Sequence, residues 1–220
     1  MSGEPRRTPA SGRLAGYEGP GPAACGRRPL HRREIRLCGY ERDDGRFEVE
    51  GWLVDTKAYA FENRHRGRIE PGEPLHAMGL RLVVDEDLVI HDAEAVMEAA
   101  PFSVCPAITP AFKRLVGLRI GPGFRREVRN RLGGVQGCTH LVELLPALAT
   151  TAIQTIMPIR ARRRRARGEG EERPPALDGC HALRRDGPVV REYFPEWFTG
   201  EADPSGRAPL PSPREPKGAG

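Results

Sequence analysis

The chain has 220 residues, of which 38% are hydrophobic, with 26 glycines and 22 prolines, so it can hold one domain of ordinary size with tails or two small domains. Its formal net charge of +5 permits binding to anionic partners without selecting one. No apolar run long enough to cross a bilayer and no signal-peptide pattern is evident, so we expect a soluble cytoplasmic protein that does not enter membranes.

The five cysteines do not form a disulfide pattern, because their number is odd and no CxxC pair occurs. We therefore expect reduced thiols that are available for metal binding or nucleophilic chemistry.

Composition divides the chain into five segments. Residues 1–29 and 199–220 are predicted to be disordered tails because they are rich in glycine, proline and charge. Residues 30–167 are predicted to form the core domain. A charged, proline-containing linker at 168–176 then leads to an arm at 177–198, which we expect to dock on the core as a strand or extended segment.

The first half of the core has the alternation that is typical of strands. Apolar residues alternate before and after the turn Asp43-Asp44-Gly45, which predicts a β-hairpin with its loop at Asp44. A second strand pair is predicted after His76, with a turn at residues 85–87. Strands joined by short turns indicate an antiparallel sheet with one face available to helices.

The second half of the core is predicted to be helical. Pro110 suits the first turn of a short helix to about Val116. Apolar residues at helical spacing predict a second helix that ends at Gly133-Gly134. The longest helical pattern runs from Leu141 to Ile156, and Pro146 inside it predicts a kink.

Thiolate and imidazole are the side chains that bind zinc and iron–sulfur clusters. Cys138 stands at the predicted start of the longest helix and His140 lies in its first turn, while Cys105 stands where the sheet gives way to helices and His76 opens a strand. These are places where the ends of elements can converge. We therefore predict one metal site, which Cys180 or His181 would complete if the arm folds back; the residues are His76, Cys105, Cys138, His140, Cys180 and His181.

Two other functions remain open. Cys138 could be the nucleophile of a thiol enzyme, activated by His140 or His76, with Asp43, Asp55 or Glu143 orienting the base. The arginine-rich run Arg160–Arg167 could bind nucleic acid, but it lacks interleaved aromatic residues, and a solvated helix end followed by acidic residues is the commoner outcome.

The order of elements from residue 74 to 157 resembles the iron–sulfur cluster scaffold proteins of the NifU/IscU type. In that comparison Cys105 and Cys138 fall on the second and third scaffold cysteines, and His76 falls near the loop that carries the acidic ligand. Pro74 or Leu75 replaces the first cysteine, and Gly137 replaces the histidine that usually precedes the third.

A more specific resemblance covers residues 33–198. The segments Gly-Tyr-Glu-Arg-Asp-Asp-Gly (39–45), Leu-Val-Asp-Thr-Lys (53–57), Pro-Gly-Glu-Pro-Leu-His-Ala-Met (71–78), Gly-Cys-Thr-His-Leu (137–141) and Leu-Asp-Gly-Cys-His-Ala-Leu (177–183) are similar to a bacterial family known as domain of unknown function 2889. That family carries no established activity to transfer.

From these observations we predict an α+β domain in which helices cover one face of an antiparallel sheet, in a SufE/NifU-like arrangement. The predicted function is binding of zinc or an iron–sulfur cluster in an accessory or cofactor-handling role. A partner protein would supply or receive the metal or cluster. Whether the chain is an enzyme is left open.

Overall fold

The computed structural model describes residues 25–200. Its main sheet consists of β1 (His31–Glu41), β2 (Phe47–Lys57), β5 (Pro74–Val84) and β6 (Ile90–Ala99), which pair antiparallel in the spatial order β1-β2-β5-β6. A small hairpin of β3 (Phe61–Asn63) and β4 (Gly67–Ile69) lies between β2 and β5 in the chain. The predicted α+β class with an antiparallel sheet is confirmed, and most of the two predicted tails falls outside the described residues.

The first hairpin turns where the sequence predicted. Gly45 has a positive φ of 82°, a conformation that a residue without Cβ adopts readily. Its N–H donates to the carbonyl of Arg42 at 3.1 Å, and the Asp44 carboxylate accepts from the backbone N–H of Arg46 at 3.2 Å. Asp suits a turn because its carboxylate accepts such local backbone hydrogen bonds, and Gly suits it because glycine tolerates a positive φ.

Strand alternation places the core on one face of the sheet. Phe47, Val49 and Leu53 of β2 are fully buried, and Leu80 and Leu82 of β5 share their face. Because successive strand side chains point to opposite faces, the intervening residues form the other, more exposed face.

Helical segments cover the buried face. An 11-residue 3-10 helix, Cys105–Leu115, is followed by α1 (Phe124–Leu132) and α2 (Thr139–Ala166). The predicted helix near Pro110 is therefore a 3-10 helix that begins earlier. The 28-residue α2 is longer than the predicted span and continues through both Pro146 and Pro158.

Close approach of α2 to the sheet depends on two strand glycines. A Cβ placed on Gly39 would lie 1.9 Å from Thr155 Oγ1, and one on Gly51 would lie 3.2 Å from Leu148 side-chain carbons. Glycine inside a strand often marks such an approach. The buried face of α2 consists of Leu141, Leu144, Leu145, Leu148, Ala152 and Ile156.

By length and composition alone, α2 could cross a membrane. Six of its residues are buried in the protein core, however, and its main contacts are with β2 and β1. Its end carries a run of arginines. These features are typical of the central helix of a globular domain.

The C-terminal segment forms short helices rather than the predicted strand or extended arm. A 3-10 turn at His181–Leu183 precedes α3 (Pro188–Tyr193) and a second turn at Pro195–Trp197. Pro188 occupies the first turn of α3, where its missing N–H is not needed. Leu177 and Val190 are 6% and 0% exposed, so two side chains of this segment are buried.

Candidate functional site

Strand register brings three polar side chains into a row across the sheet. Arg33 on β1 pairs with Asp55 on β2, and Asp55 pairs with His76 on β5. Directly opposed residues on neighbouring strands have their Cβ atoms about 4.5–5.5 Å apart, so their side chains interact. Asp55 and His76 are 1% and 9% exposed, and they are the two buried polar residues of the described chain.

Asp55 is the centre of this group. Arg33 donates to both carboxylate oxygens, from Nε to Oδ1 at 2.8 Å and from the second guanidinium nitrogen to Oδ2 at 2.8 Å. His76 Nδ1 lies 3.0 Å from Oδ2, and His31 Nε2 lies 3.2 Å from Oδ1. A buried carboxylate requires such partners, because an unpaired charge is strongly disfavoured away from water.

The start of α2 adds a second imidazole. Gly137 allows the chain to turn closely past Leu132, and His140 then falls in the first turn of α2. Its ring centroid is 4.0 Å from that of His76, with 34° between the ring planes. His140 Nε2 is 3.8 Å from Asp55 Oδ2, which is too long for a hydrogen bond.

The electrostatics keep the carboxylate ionised and the imidazoles neutral. Burial alone would raise the pKa of Asp55, but the Arg33 hydrogen bonds and the nearby positive charges outweigh it and lower that pKa. Burial lowers the pKa of His76, and His140 lowers it further against the opposing effect of Asp55. Burial and the charge of Arg33 likewise lower the pKa of His140. Neutral imidazole and ionised carboxylate are the forms that bind metals.

The hydrogen bond to Asp55 also fixes the tautomer of His76. An ionised carboxylate can only accept, so the neutral imidazole of His76 donates from Nδ1 and its Nε2 keeps a free lone pair. A histidine oriented in this way by a carboxylate can act as a general base or as a metal ligand.

The distances within the group suit a metal ion. One ligand atom from each of Asp55, His76 and His140 can be chosen so that all lie within 4.8 Å of one another. Zinc bonds of about 2.0–2.1 Å to nitrogen or oxygen place tetrahedral ligands about 3.3–3.4 Å apart. The 3.8 Å separation of Asp55 Oδ2 from His140 Nε2 is close to that value. Coordination through His76 Nδ1 would require the ion to replace the hydrogen bond from that atom to Asp55.

Two of the six predicted ligands, His76 and His140, belong to this group. Cys138 is the N-cap residue of α2 and packs half-buried against the core, and Cys105 begins the 3-10 helix, also half-buried. Cys180 and His181 are exposed on the C-terminal segment. These four residues lie outside the Asp55, His76 and His140 group.

The sequence reasoning did not include Asp55 in the predicted metal site and considered it only as a residue that orients a base. The signal was present, because Asp55 continues the inward-facing series Phe47, Val49, Gly51 and Leu53. A carboxylate at a position that should be buried points to a charged partner or a metal. Arg33 was also missed, because its pairing with Asp55 depends on the register of two strands.

The arginine run at the end of α2 is largely engaged within the protein. Arg160 donates to the carbonyl of Glu86 at 2.7 Å and pairs with Asp87 and Glu172. Arg163 pairs with Glu41 and Glu86 and lies over the Phe47 ring. Arg164 and Arg167 both pair with Glu169. The run thus fastens α2 to two strand turns and to the segment that follows it, which reduces the charge available to a nucleic acid.

Taken together, the fold and the site define an antiparallel α+β protein with a buried carboxylate–histidine cluster between the sheet and the start of its central helix. Residues 31–154 match the family described as Protein of unknown function (DUF2889). The chain belongs to this family, and the matched region contains every residue of the cluster. No curated protein and no solved structure matches the chain.

Proposed function

We propose that the protein binds a single divalent transition-metal ion, with zinc the first candidate, through Asp55, His76 and His140. The observation that carries the proposal is the proximity of these three side chains. Within residues 25–200 they are the one group of three or more His, Cys, Asp or Glu side chains close enough to share an ion.

The donor set favours a mononuclear ion over an iron–sulfur cluster. Clusters are held mainly by cysteine thiolates, and this group contains none. Two imidazoles and one carboxylate are found in catalytic zinc sites and in mononuclear iron(II) sites. The resemblance to iron–sulfur scaffold proteins, the partner that would exchange metal and the cytoplasmic location remain predictions from the sequence.

Arg33 is suited to hold the carboxylate in position. Metal-binding carboxylates and histidines are commonly oriented by an outer ring of hydrogen bonds, and the two-pronged contact of Arg33 fixes the Asp55 plane. The guanidinium charge would repel a cation, and Glu143, 4.0 Å from its other nitrogen and largely exposed, offsets that charge only in part.

Three protein ligands leave a coordination position open, and such an ion can polarise the oxygen of a carbonyl or phosphoryl group. The side chains of the protein would hold and orient the reactants. His140 is half-buried, with 28% of its side chain exposed, and it lies between the solvent and the buried Asp55 and His76. It is therefore placed to contact a molecule that approaches the cluster.

Metal analysis of the purified full chain tests the proposal. After removal of metal and dialysis against zinc, we expect about one zinc ion per chain in the wild type, and loss of that ion in Asp55→Asn and in the double variant His76→Gln/His140→Gln. His91→Gln is the matched control, because His91 pairs with Asp85 on a different part of the surface. Equal zinc content in the wild type and the double variant would overturn the proposal. Loss of zinc in Cys105→Ser and Cys138→Ser but not in the double variant would restore the cysteine-based prediction.

One observation supports a second candidate function, that of a thiol enzyme. Asp55 orients His76 as a carboxylate orients the base of a catalytic triad, and Cys138 lies two residues before His140 at the start of α2. This reading predicts that iodoacetamide modifies Cys138 faster than the exposed Cys38, and that His140→Gln slows the reaction at Cys138 alone. Slower modification of Cys138 than of Cys38, unaffected by His140, would count against it.

A further inference from the structure

A groove of about 300 Å³ runs between α1 and α2. Its exposed apolar surface comes mainly from Val142 and Pro146 of α2, above the nearly buried side chains of Val128 and Leu145. Ligand sites in proteins are mostly apolar concavities of about 300–1,000 Å³ with a few polar groups that fix orientation. The groove has the dimensions of a site for a small organic molecule.

The polar groups on the α1 side are two arginines, Arg125 and Arg129. They are one helical turn apart, so their Cβ atoms lie about 5–6 Å from each other on one face. Both are exposed, and neither forms an ion pair or a side-chain hydrogen bond with any residue in 25–200. Most arginines of α2 and of the strands are paired with acidic groups, so these two guanidinium groups are available to an external anion.

The other wall of the groove belongs to α2. Glu143 lines the groove and lies 4.0 Å from Arg33, the residue that holds Asp55. Glu143 is also three residues beyond His140, so the two share one face of α2. The α1 wall of the groove is therefore cationic, and its α2 wall carries Glu143, one helical turn from His140.

We propose that this groove binds a small organic oxyanion with an apolar body, a carboxylate or a phosphate monoester. Arg125 and Arg129 hold its charged group, the apolar wall holds its body, and its far end lies at His140. The inference rests on the proposed function, because it identifies the molecule that would be presented to a metal ion at that cluster.

The charge arrangement determines this orientation. An anionic group at the Arg33 end would meet Glu143, which is exposed and repels it, whereas Arg125 and Arg129 can each donate more than one hydrogen bond to an oxyanion. Hydrogen bonds to a charged group contribute more than neutral ones, so each arginine should contribute about tenfold to affinity. An uncharged molecule with the same body lacks this contribution.

The test is a titration of the full chain, isotopically labelled and followed by NMR, with hexanoate and hexyl phosphate as probes. We expect Arg125→Gln and Arg129→Gln each to raise the Kd about tenfold, and Arg126→Gln to change it less than about twofold. Arg126 is the matched control, because it lies on the same helix, is 75% exposed, pairs with Glu127 and does not line the groove. Hexanol and inorganic phosphate should bind more weakly than hexyl phosphate, since each lacks one half of the recognised structure. Equal effects of all three arginine variants, or hexanol binding as tight as hexanoate binding, would overturn the inference.

Two further experiments separate this inference from the metal proposal. The first compares chelator-treated wild type with the chelator-treated arginine variants. If the Arg125 and Arg129 substitutions still weaken probe binding, the groove is supported, whatever the metal analysis gives. In protein loaded with cobalt(II), we expect the terminal methyl signal of hexanoate to broaden more than the signal of the carbon next to the carboxylate. The opposite order of broadening would refute the proposed orientation.

Discussion

Replacement of Asp55 by asparagine tests the central electrostatic feature of the site. The carboxylate is 1% exposed and accepts two hydrogen bonds from Arg33 and one from His76. Hydrogen bonds to charged groups contribute about 1.5–3 kcal/mol each, and loss of one member of a fully buried ion pair destabilises by about 3–5 kcal/mol. The Arg33 side chain is 33% exposed, so water can recover part of its hydration, and the amide oxygen of asparagine can still accept one bond. We therefore expect the free energy of unfolding to fall by about 2–3 kcal/mol.

Urea and thermal unfolding of chelator-treated protein at pH 7.5 measure this change. For a domain of this size the loss corresponds to a Tm lower by about 4–12 °C. Asp44→Asn is the control, because Asp44 pairs with Arg42 on the exposed hairpin turn, where solvent screens the interaction. Its Tm should stay close to that of the wild type. Equal Tm values for both variants would refute the argument that Asp55 is a buried, strongly paired carboxylate.

Three other predictions follow from the same structure. The pKa values of His76 and His140 are lowered in the folded state, so the unfolded state binds more protons below about pH 6.5 and stability should fall on acidification from pH 7 to 5. Urea midpoints of the double variant His76→Gln/His140→Gln should depend less on pH than those of the wild type. An unchanged pH slope would contradict the assigned burial. Gly39→Ala should lower the unfolding free energy by about 1–3 kcal/mol because its Cβ would overlap Thr155, and Thr155→Ala should rescue it; destabilisation without rescue would refute the close approach. Val190→Ala should lower the unfolding free energy by about 1–3 kcal/mol and raise hydrogen exchange in residues 177–198, whereas an unchanged exchange rate would show that this side chain does not hold the segment.

The elements that the sequence predicted well are those whose signals are local. The turn at Asp44 and the alternating residues around it define the first hairpin without reference to distant parts of the chain. The apolar stripe of α2 likewise repeats within one segment. The short hairpin β3–β4 escaped detection because strands of three residues are too short to show a period.

The C-terminal segment was predicted as a strand or extended segment, and it contains valines and aromatic residues, which have high strand propensity. Its helical turns instead follow prolines at their first positions, at Pro188 and Pro195. Burial of Val190 stabilises this local structure. Tertiary packing and local chain geometry thus outweighed intrinsic propensity.

The site was only half predicted because its geometry depends on strand register. His76 and His140 were selected as imidazoles at the ends of elements, a criterion that also selected four residues outside the cluster. Asp55 lies beside His76 because β2 and β5 pair in one particular register. A shift of one residue would place Asp55 on the opposite face and remove the site.

The identity of the donor atoms then limits the chemistry more strongly than the family does. Two neutral imidazoles and an ionised carboxylate would give a ligand set with a single negative charge, so a divalent ion bound there would keep a net positive charge that attracts a carbonyl oxygen. Arg33 adds a positive charge beside this set, and the exposed Glu143, 4.0 Å away, offsets it only in part. A set of thiolate ligands, such as holds an iron–sulfur cluster, would be more negative and would repel an anionic molecule. In the proposed orientation the arginines of the α1–α2 groove and the imidazole–carboxylate set act on different ends of the bound molecule, with the charged group at Arg125 and Arg129 and the far end at His140.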